Sequence, residues 1–277
     1  MNDLKINHIE LPTDERILEY HISTHGATNM KYVLCFHGMT ESRTIFSNKR
    51  SPFRLLCVDR PGYGGSSPPP SDKYSYEQFA KEVELLLKHE NISSFEVRGV
   101  LGHSSGGPCA LAVAHFLNLG RCILIASDIE YSNPQAKNLA DPFAFIDNIE
   151  HFLEDPFHPD VPANELGFVT ERELHELDLF IYREAIHRNQ NNTGVINDYY
   201  LERKPWGFDL KEFINPKERL RVVIGDRDPY LNIGHANFFR IALKNEEIPI
   251  VIEKGYGHFD IILDQYSFSR HISLIES

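Results

Sequence analysis

Six residues, Gly102-His103-Ser104-Ser105-Gly106-Gly107, separate an apolar run, Phe95 to Leu101, from a stretch of small residues, Pro108 to Ala114. A strand that becomes a helix within so short a bend brings the two almost into contact, and only glycine fits where they cross. The residue thrust outward at the bend, Ser104, has a strained backbone and an outward-pointing hydroxyl, as a nucleophile requires. A phosphate-binding loop over the same glycines needs a lysine after the last of them, and Pro108 stands there. Neither this segment nor Gly62-Tyr63-Gly64-Gly65 has the spacing of a dinucleotide fingerprint. The remaining alternative is a glycine-rich turn without chemistry.

Short apolar or alternating runs bounded by turn residues occur at about 5–10, 16–23, 32–36, 54–58, 95–101, 121–126, 220–224 and 248–252, which predicts eight strands. Between them lie helical patterns, the clearest formed by Tyr76, Phe79, Ala80, Val83, Leu86 and Leu87, with Ser75 and Gln78 as a capping box. Strand and helix alternate from residue 32 onward, so the fold class is α/β, a mostly parallel sheet with helices on both faces. The first two strands, joined by Leu11-Pro12-Thr13-Asp14-Glu15, read as an antiparallel hairpin at its edge.

One block interrupts the alternation. Residues 130–204 carry five prolines (Pro134, Pro142, Pro156, Pro159, Pro162), helical patterns around 171–186 and no convincing strand, so they read as an insertion between sheet strands. Within it, residues 141–178 hold eleven acidic side chains against the single base Arg172. That run is either the solvated face of surface helices or the wall of a lid whose field discourages anionic substrates.

The chain has 277 residues, enough to bury a full core, and a formal charge of −12, which disfavours nucleic acid and anionic membranes as partners. No apolar stretch is long enough to span a bilayer and the N-terminus has no signal-peptide pattern, so the expected location is cytoplasmic. Cys35, Cys57, Cys109 and Cys122 lie singly in apolar segments, as small hydrophobes rather than disulfide or metal-site partners, and no cofactor or metal is expected.

A serine hydroxyl needs a general base and a group to orient it. Of fourteen histidines, His258 stands in a Gly-rich turn, Gly255-Tyr256-Gly257-His258-Phe259, just after the last strand and on the same sheet edge as Ser104. The seventh strand ends in Gly225-Asp226-Arg227-Asp228; Asp228, past the corner, is the preferred acid, while Asp226 and Arg227 suit the turn. Asp128, after the sixth strand, is a further candidate. Oxyanion donors are expected at the Ser105 amide, heading the helix, and at the Met39 amide, after the third strand and His37-Gly38.

Together His37-Gly38, Asp59-Arg60-Pro61-Gly62-Tyr63-Gly64-Gly65-Ser66, the Ser104 segment, Pro205-Trp206-Gly207-Phe208-Asp209, Gly225 to Asp228 and Gly257-His258-Phe259 resemble, in order, the motifs of the α/β-hydrolase superfamily. The resemblance implies an eight-stranded, mostly parallel sheet with a helical cap after strand six. The core is then 1–129 and 205–277, and the cap 130–204. It also implies the order Ser104, Asp228, His258 for the triad, Met39 and Ser105 for the oxyanion hole, and a structural Asp59. Aspartate nucleophiles mark epoxide hydrolases and dehalogenases in that superfamily, so Ser104 points elsewhere. The expected function is a serine hydrolase acting on a small, mostly apolar ester, thioester, lactone or amide through an acyl-Ser104 intermediate. Acyl transfer, perhydrolysis or carbon–carbon hydrolysis would use the same residues, and the alternative from another class is a ligand sensor on the same fold with little turnover.

Overall fold

The computed structural model describes residues 5–12, 14–39, 41–70, 74–142, 144, 193–213 and 216–275. Its elements run β1 Ile6–Glu10, β2 Ile17–Ser23, β3 Tyr32–Phe36, β4 Arg54–Val58, α1 Tyr76–His89, β5 Val97–His103, α2 Gly106–Phe116 and β6 Arg121–Ile125. They continue through α3 Thr193–Glu202, α4 Pro216–Arg219, β7 Leu220–Gly225, α5 Ile233–Ala242, β8 Ile250–Glu253, α6 Asp260–Leu263 and α7 Gln265–Ser273. The helical pattern expected at 171–186 and most of the acidic run at 141–178 fall outside the described residues. Among the described residues, no helix is long and apolar enough to cross a membrane.

All eight strands join one sheet in the order β1-β2-β4-β3-β5-β6-β7-β8. The predicted edge hairpin forms: β1 runs antiparallel to β2, β2 antiparallel to β4, and every later pairing is parallel. The central strands carry unbroken apolar residues because both faces are covered: Val33 to Phe36, Leu55 to Val58 and Cys122 to Ile125 are buried without alternation. The cover can be read from β5 itself. A methyl group on Gly99 would meet Ile275, just past α7, whereas one on Gly102 would strike Gly106 at the start of α2. Residues three apart on a strand point to opposite faces, so α2 and the C-terminal segment lie on opposite sides of the sheet. The four cysteines are free and buried, as their apolar contexts predict.

Two local readings shift slightly. Strand β5 begins two residues later than the apolar run suggests and extends through Gly102 and His103, which pair with Leu124 and Ile125 of β6. At the head of α1 the Ser75 arm of the expected box forms, its hydroxyl accepting from the Gln78 amide at 3.2 Å.

The close crossing of helix and sheet makes a prediction with an informative sign. Alanine favours helix over glycine by about 1 kcal/mol, so propensity alone says that Gly106→Ala stabilises. A Cβ at Gly106, however, would lie 2.3 Å from the Phe36 carbonyl oxygen and 2.4 Å from that of His37, both backbone atoms. Destabilisation by about 2 kcal/mol or more is therefore expected, read from the midpoint of urea unfolding. A midpoint that rises or stays put would contradict the crossing.

Candidate active site

In a parallel sheet the chain leaves every strand at the same edge, and the residues just beyond those ends converge. Here they are His37 to Met39 after β3, Asp59 and Arg60 after β4, Ser104 after β5, Asp128 after β6, Asp228 after β7 and His258 after β8. Ser104 has φ of 50°, the left-handed backbone demanded by the abrupt passage from β5 to α2.

The Ser104 hydroxyl faces His258 Nε2 at 3.0 Å, and His258 Nδ1 faces Asp228 Oδ2 at 2.8 Å. The other Asp228 oxygen, Oδ1, accepts from the amides of Tyr230 and Leu231, each at 2.9 Å. These bonds orient the carboxylate and leave Nδ1–H as its donor, so Nε2 is the free base of the neutral imidazole. Burial works against both charges of the pair but is outweighed. His258 and the two amides hold the Asp228 carboxyl below the usual carboxylate range, and Asp228 holds the His258 imidazole above its ordinary value. Tyr230 and Phe259 pack edge-on against the imidazole, with ring centroids 5.8 and 5.1 Å away. Asp226 accepts instead from the Gly255 amide at 2.5 Å, which ties the turn after β7 to the turn that carries His258.

Gly38 lies so near Ser104 that a Cβ on it would be 2.8 Å from that of Ser104, which brings the following residue, Met39, close to the same side chain. Ser105 caps the N-terminus of α2, where backbone dipoles favour negative charge. Neither the Met39 nor the Ser105 amide has a hydrogen-bond acceptor among the described residues. His37 fixes this loop from behind: its Nδ1–H donates to the Gly38 carbonyl at 2.8 Å and its Nε2 accepts from the Arg60 amide at 3.1 Å. Burial, reinforced by Arg60, keeps His37 well below its ordinary pKa, consistent with that neutral tautomer.

Three features of the site are not anticipated from the sequence. Glu41 accepts from the Gly38 amide at 2.5 Å and lies 2.8 Å from His103 Nδ1, while His103 Nε2 donates to the His258 carbonyl at 3.0 Å. One buried chain thus links the loop of Met39 to the turn of His258. Asp128, weighed only as an alternative orienting acid, stands beside Ser104: its Oδ2 is 3.2 Å from Ser104 Oγ. Helix α3 docks on the turn after β4, with Asp198 pairing Arg60 at 2.7 Å and accepting from Tyr63 at 2.5 Å. The close approach of Gly62 to Gly194 allows that docking, since a Cβ on Gly62 would lie 2.5 Å from the Gly194 amide nitrogen. Asp59, buried beneath the same turn, receives the Arg43 amide at 2.7 Å and its guanidinium. Only the proximity of His37-Gly38 to an acid three residues on could have flagged Glu41; Asp198 carries no local signal.

With an open α/β sheet and a serine, a histidine and a carboxylate aligned at its carboxyl edge, the class is defined, and the comparison with known proteins agrees. The chain belongs to the alpha/beta hydrolase family, whose model matches residues 33–266. It is 28% identical over 113 residues to a putative carbamate hydrolase, RutD, of Acinetobacter baylyi, an alignment covering 39% of this chain and 41% of that protein. The chain therefore spans about two fifths of the length of this relative. Among solved structures, the esterase EaEST of Exiguobacterium antarcticum superposes with a TM-score of 0.73 at 18% identity, over 98% of this chain and 99% of that one. A putative aryl esterase of Burkholderia cenocepacia gives 0.71 at 15% identity, over 97% of each chain. At such identities the superpositions establish the fold.

Proposed function

We propose that this protein is a cytoplasmic serine hydrolase that cleaves a small, mostly apolar ester, thioester, lactone or amide through an acyl-Ser104 intermediate. The observation that carries the reading is the unbroken line from Ser104 Oγ through both nitrogens of His258 to Asp228, at 3.0 and 2.8 Å. His258 Nε2 takes the Ser104 proton as Oγ bonds to the substrate carbonyl carbon, and passes it to the leaving group as the old acyl bond breaks. Asp228 holds the imidazole and balances its transient charge. The amides of Met39 and Ser105 receive the oxyanion. Water then attacks the acyl-enzyme with His258 again as base, releasing the acid and restoring Ser104.

The apolar preference is supported by Met39, Tyr63 and Val195, which pack as a buried cluster with Ile196 and Tyr199 against it. The relative described as a carbamate hydrolase supports a carbonyl bearing nitrogen among the candidates. Residues 130–204 serve in this reading as the cap, with α3 as its docked C-terminal end. A cytoplasmic setting accords with four free, buried thiols.

A fluorophosphonate probe tests the proposal, because only a serine with an oriented base is phosphonylated rapidly. Peptide mass spectrometry of the folded, labelled protein is expected to place the adduct on Ser104 and leave Ser105 unmodified. An adduct confined to another serine, or none, would overturn it.

A further inference from the structure

The Ser104 hydroxyl has one proton and two acceptors. His258 Nε2 lies 3.0 Å from Oγ and Asp128 Oδ2 lies 3.2 Å from it. Asp128 also accepts from the Ser105 hydroxyl at 3.2 Å and, on its other oxygen, from the Tyr131 hydroxyl at 3.0 Å. The two oxygens of Asp128 thus face three hydroxyls. Asp128 is 3% exposed, and all its direct partners are neutral. Among the described residues no cation forms an ion pair with it. A buried carboxylate is costly unless a positive group matches it, and no described side chain does so, which places Asp128 to receive a cationic group of the substrate.

The surroundings deepen that demand. Asp198, on α3, is paired with Arg60, but Glu202, one turn further along and fully buried, is not comparably matched. The nearest guanidinium nitrogen, of Arg203, is 3.7 Å away and belongs to a side chain that also pairs with Asp141. The Ser105 hydroxyl lies between the two acids, 3.2 Å from Asp128 Oδ2 and also in hydrogen-bonding contact with the Glu202 carboxyl. Burial, then the charges of Asp128 and Asp198, push the Glu202 carboxyl well above the usual carboxylate range. A second, wholly buried acid thus adjoins Asp128.

We propose that the acyl group of the substrate carries a basic amine next to its carbonyl, as in an α-amino acid ester, thioester or amide, and that Asp128 binds the ammonium. This inference rests on the hydrolase reading above. When Oγ bonds to the acyl carbon, a nitrogen on the adjacent carbon lies about 3 Å from Oγ, by ordinary bond lengths and angles. Asp128 Oδ2 stands 3.2 Å from the same oxygen, so rotation about the bond between the acyl carbon and its neighbour can bring the nitrogen within reach of a charge-assisted hydrogen bond to it. The leaving atom must face His258 Nε2 to collect its proton, which leaves the acyl side for Asp128. Binding also activates: the ammonium replaces Ser104 as donor to Asp128, and the serine proton is then directed to His258 alone. The ammonium keeps its own proton throughout. A neutral acyl group forgoes the ion pair and leaves the two acceptors competing.

The test compares benzyl esters of alanine and of propionic acid, matched but for the amine, at a pH where the amine is protonated. Each kcat/KM is divided by the uncatalysed rate, which removes the intrinsic activation of the amino ester. In the wild type the normalised ratio is expected to favour the alanine ester by about tenfold or more, and in Asp128→Asn to collapse towards one. A merely structural role for Asp128 would lower both rates together and leave the ratio unchanged, which would overturn the inference. Should the variant not fold, the wild type decides: alaninamide should inhibit cleavage of the propionate ester about tenfold more tightly than propionamide, and equal inhibition refutes the proposal. If Ser104 resists the fluorophosphonate probe and neither ester is cleaved, the hydrolase reading itself falls. Labelling of Ser104 with no preference for the amine removes only the inference.

Discussion

Replacing Ser104 with alanine is expected to lower kcat on the best acyl substrate by on the order of 10⁶, with KM and the unfolding midpoint little changed. The size follows from what is lost. Without Oγ no acyl-enzyme forms, and His258 has no hydroxyl to deprotonate; what remains is water attack helped by the oxyanion donors alone. Because the members of such a unit are not additive, His258→Ala should cost nearly as much, and the double variant little more than either. Ser105→Ala is the natural contrast. It keeps the backbone amide at the head of α2 and removes only a hydroxyl bonded to Asp128, so its loss should be far smaller. A Ser104→Ala protein that retains more than about a hundredth of the wild-type rate would show that another group is the nucleophile.

Asp228→Asn is expected to reduce turnover on the order of 10⁴, and Asp226→Asn to leave turnover nearly intact while lowering stability by about 1–2 kcal/mol. The two residues are two positions apart, yet one accepts from His258 Nδ1 at 2.8 Å and the other from the Gly255 amide at 2.5 Å. An asparagine at 228 can present its amide group to Nδ1, which would favour the wrong tautomer and remove the free base at Nε2. The pH profile adds a second readout. Asp228 holds the His258 imidazole above its ordinary value, and only the neutral imidazole is a base. The acid limb of kcat/KM in the wild type should therefore lie above about 6.5, and the residual activity of Asp228→Asn should show that limb moved to lower pH. Reversed effects at 226 and 228 would make Asp226 the orienting acid. If neither mattered, Asp128 would have to be tested in that role.

Much of this was legible in the chain because it depends on local rules. Eight apolar runs at strand length, one capped amphipathic helix and a strand–turn–helix with glycines at the crossing are properties of neighbouring residues, and each recurs in the structure within about two residues. The placement of Ser104, Asp228 and His258 after β5, β7 and β8 is equally local once the strands are parallel, since parallel strands deliver their ends to one edge. The choice between Asp226 and Asp228 already required a turn geometry that the sequence hints at only through Gly225.

What the tertiary structure alone decided is which carboxylates share the space around Ser104. Asp128, Asp198 and Glu202 lie 24, 94 and 98 positions from Ser104 by the numbering, and their meeting depends on α3 docking on the turn after β4. Glu41 and His103 likewise meet between the loop after β3 and the end of β5, a contact that no periodic pattern registers. Electrostatic interactions act through space and strengthen with burial, so the sign and strength of the field at Ser104 is a property of the packed molecule. The amino-acid sequence determined the sheet, the bend and the order of Ser104, Asp228 and His258; the fold determined that Asp128 would stand 3.2 Å from the Ser104 hydroxyl.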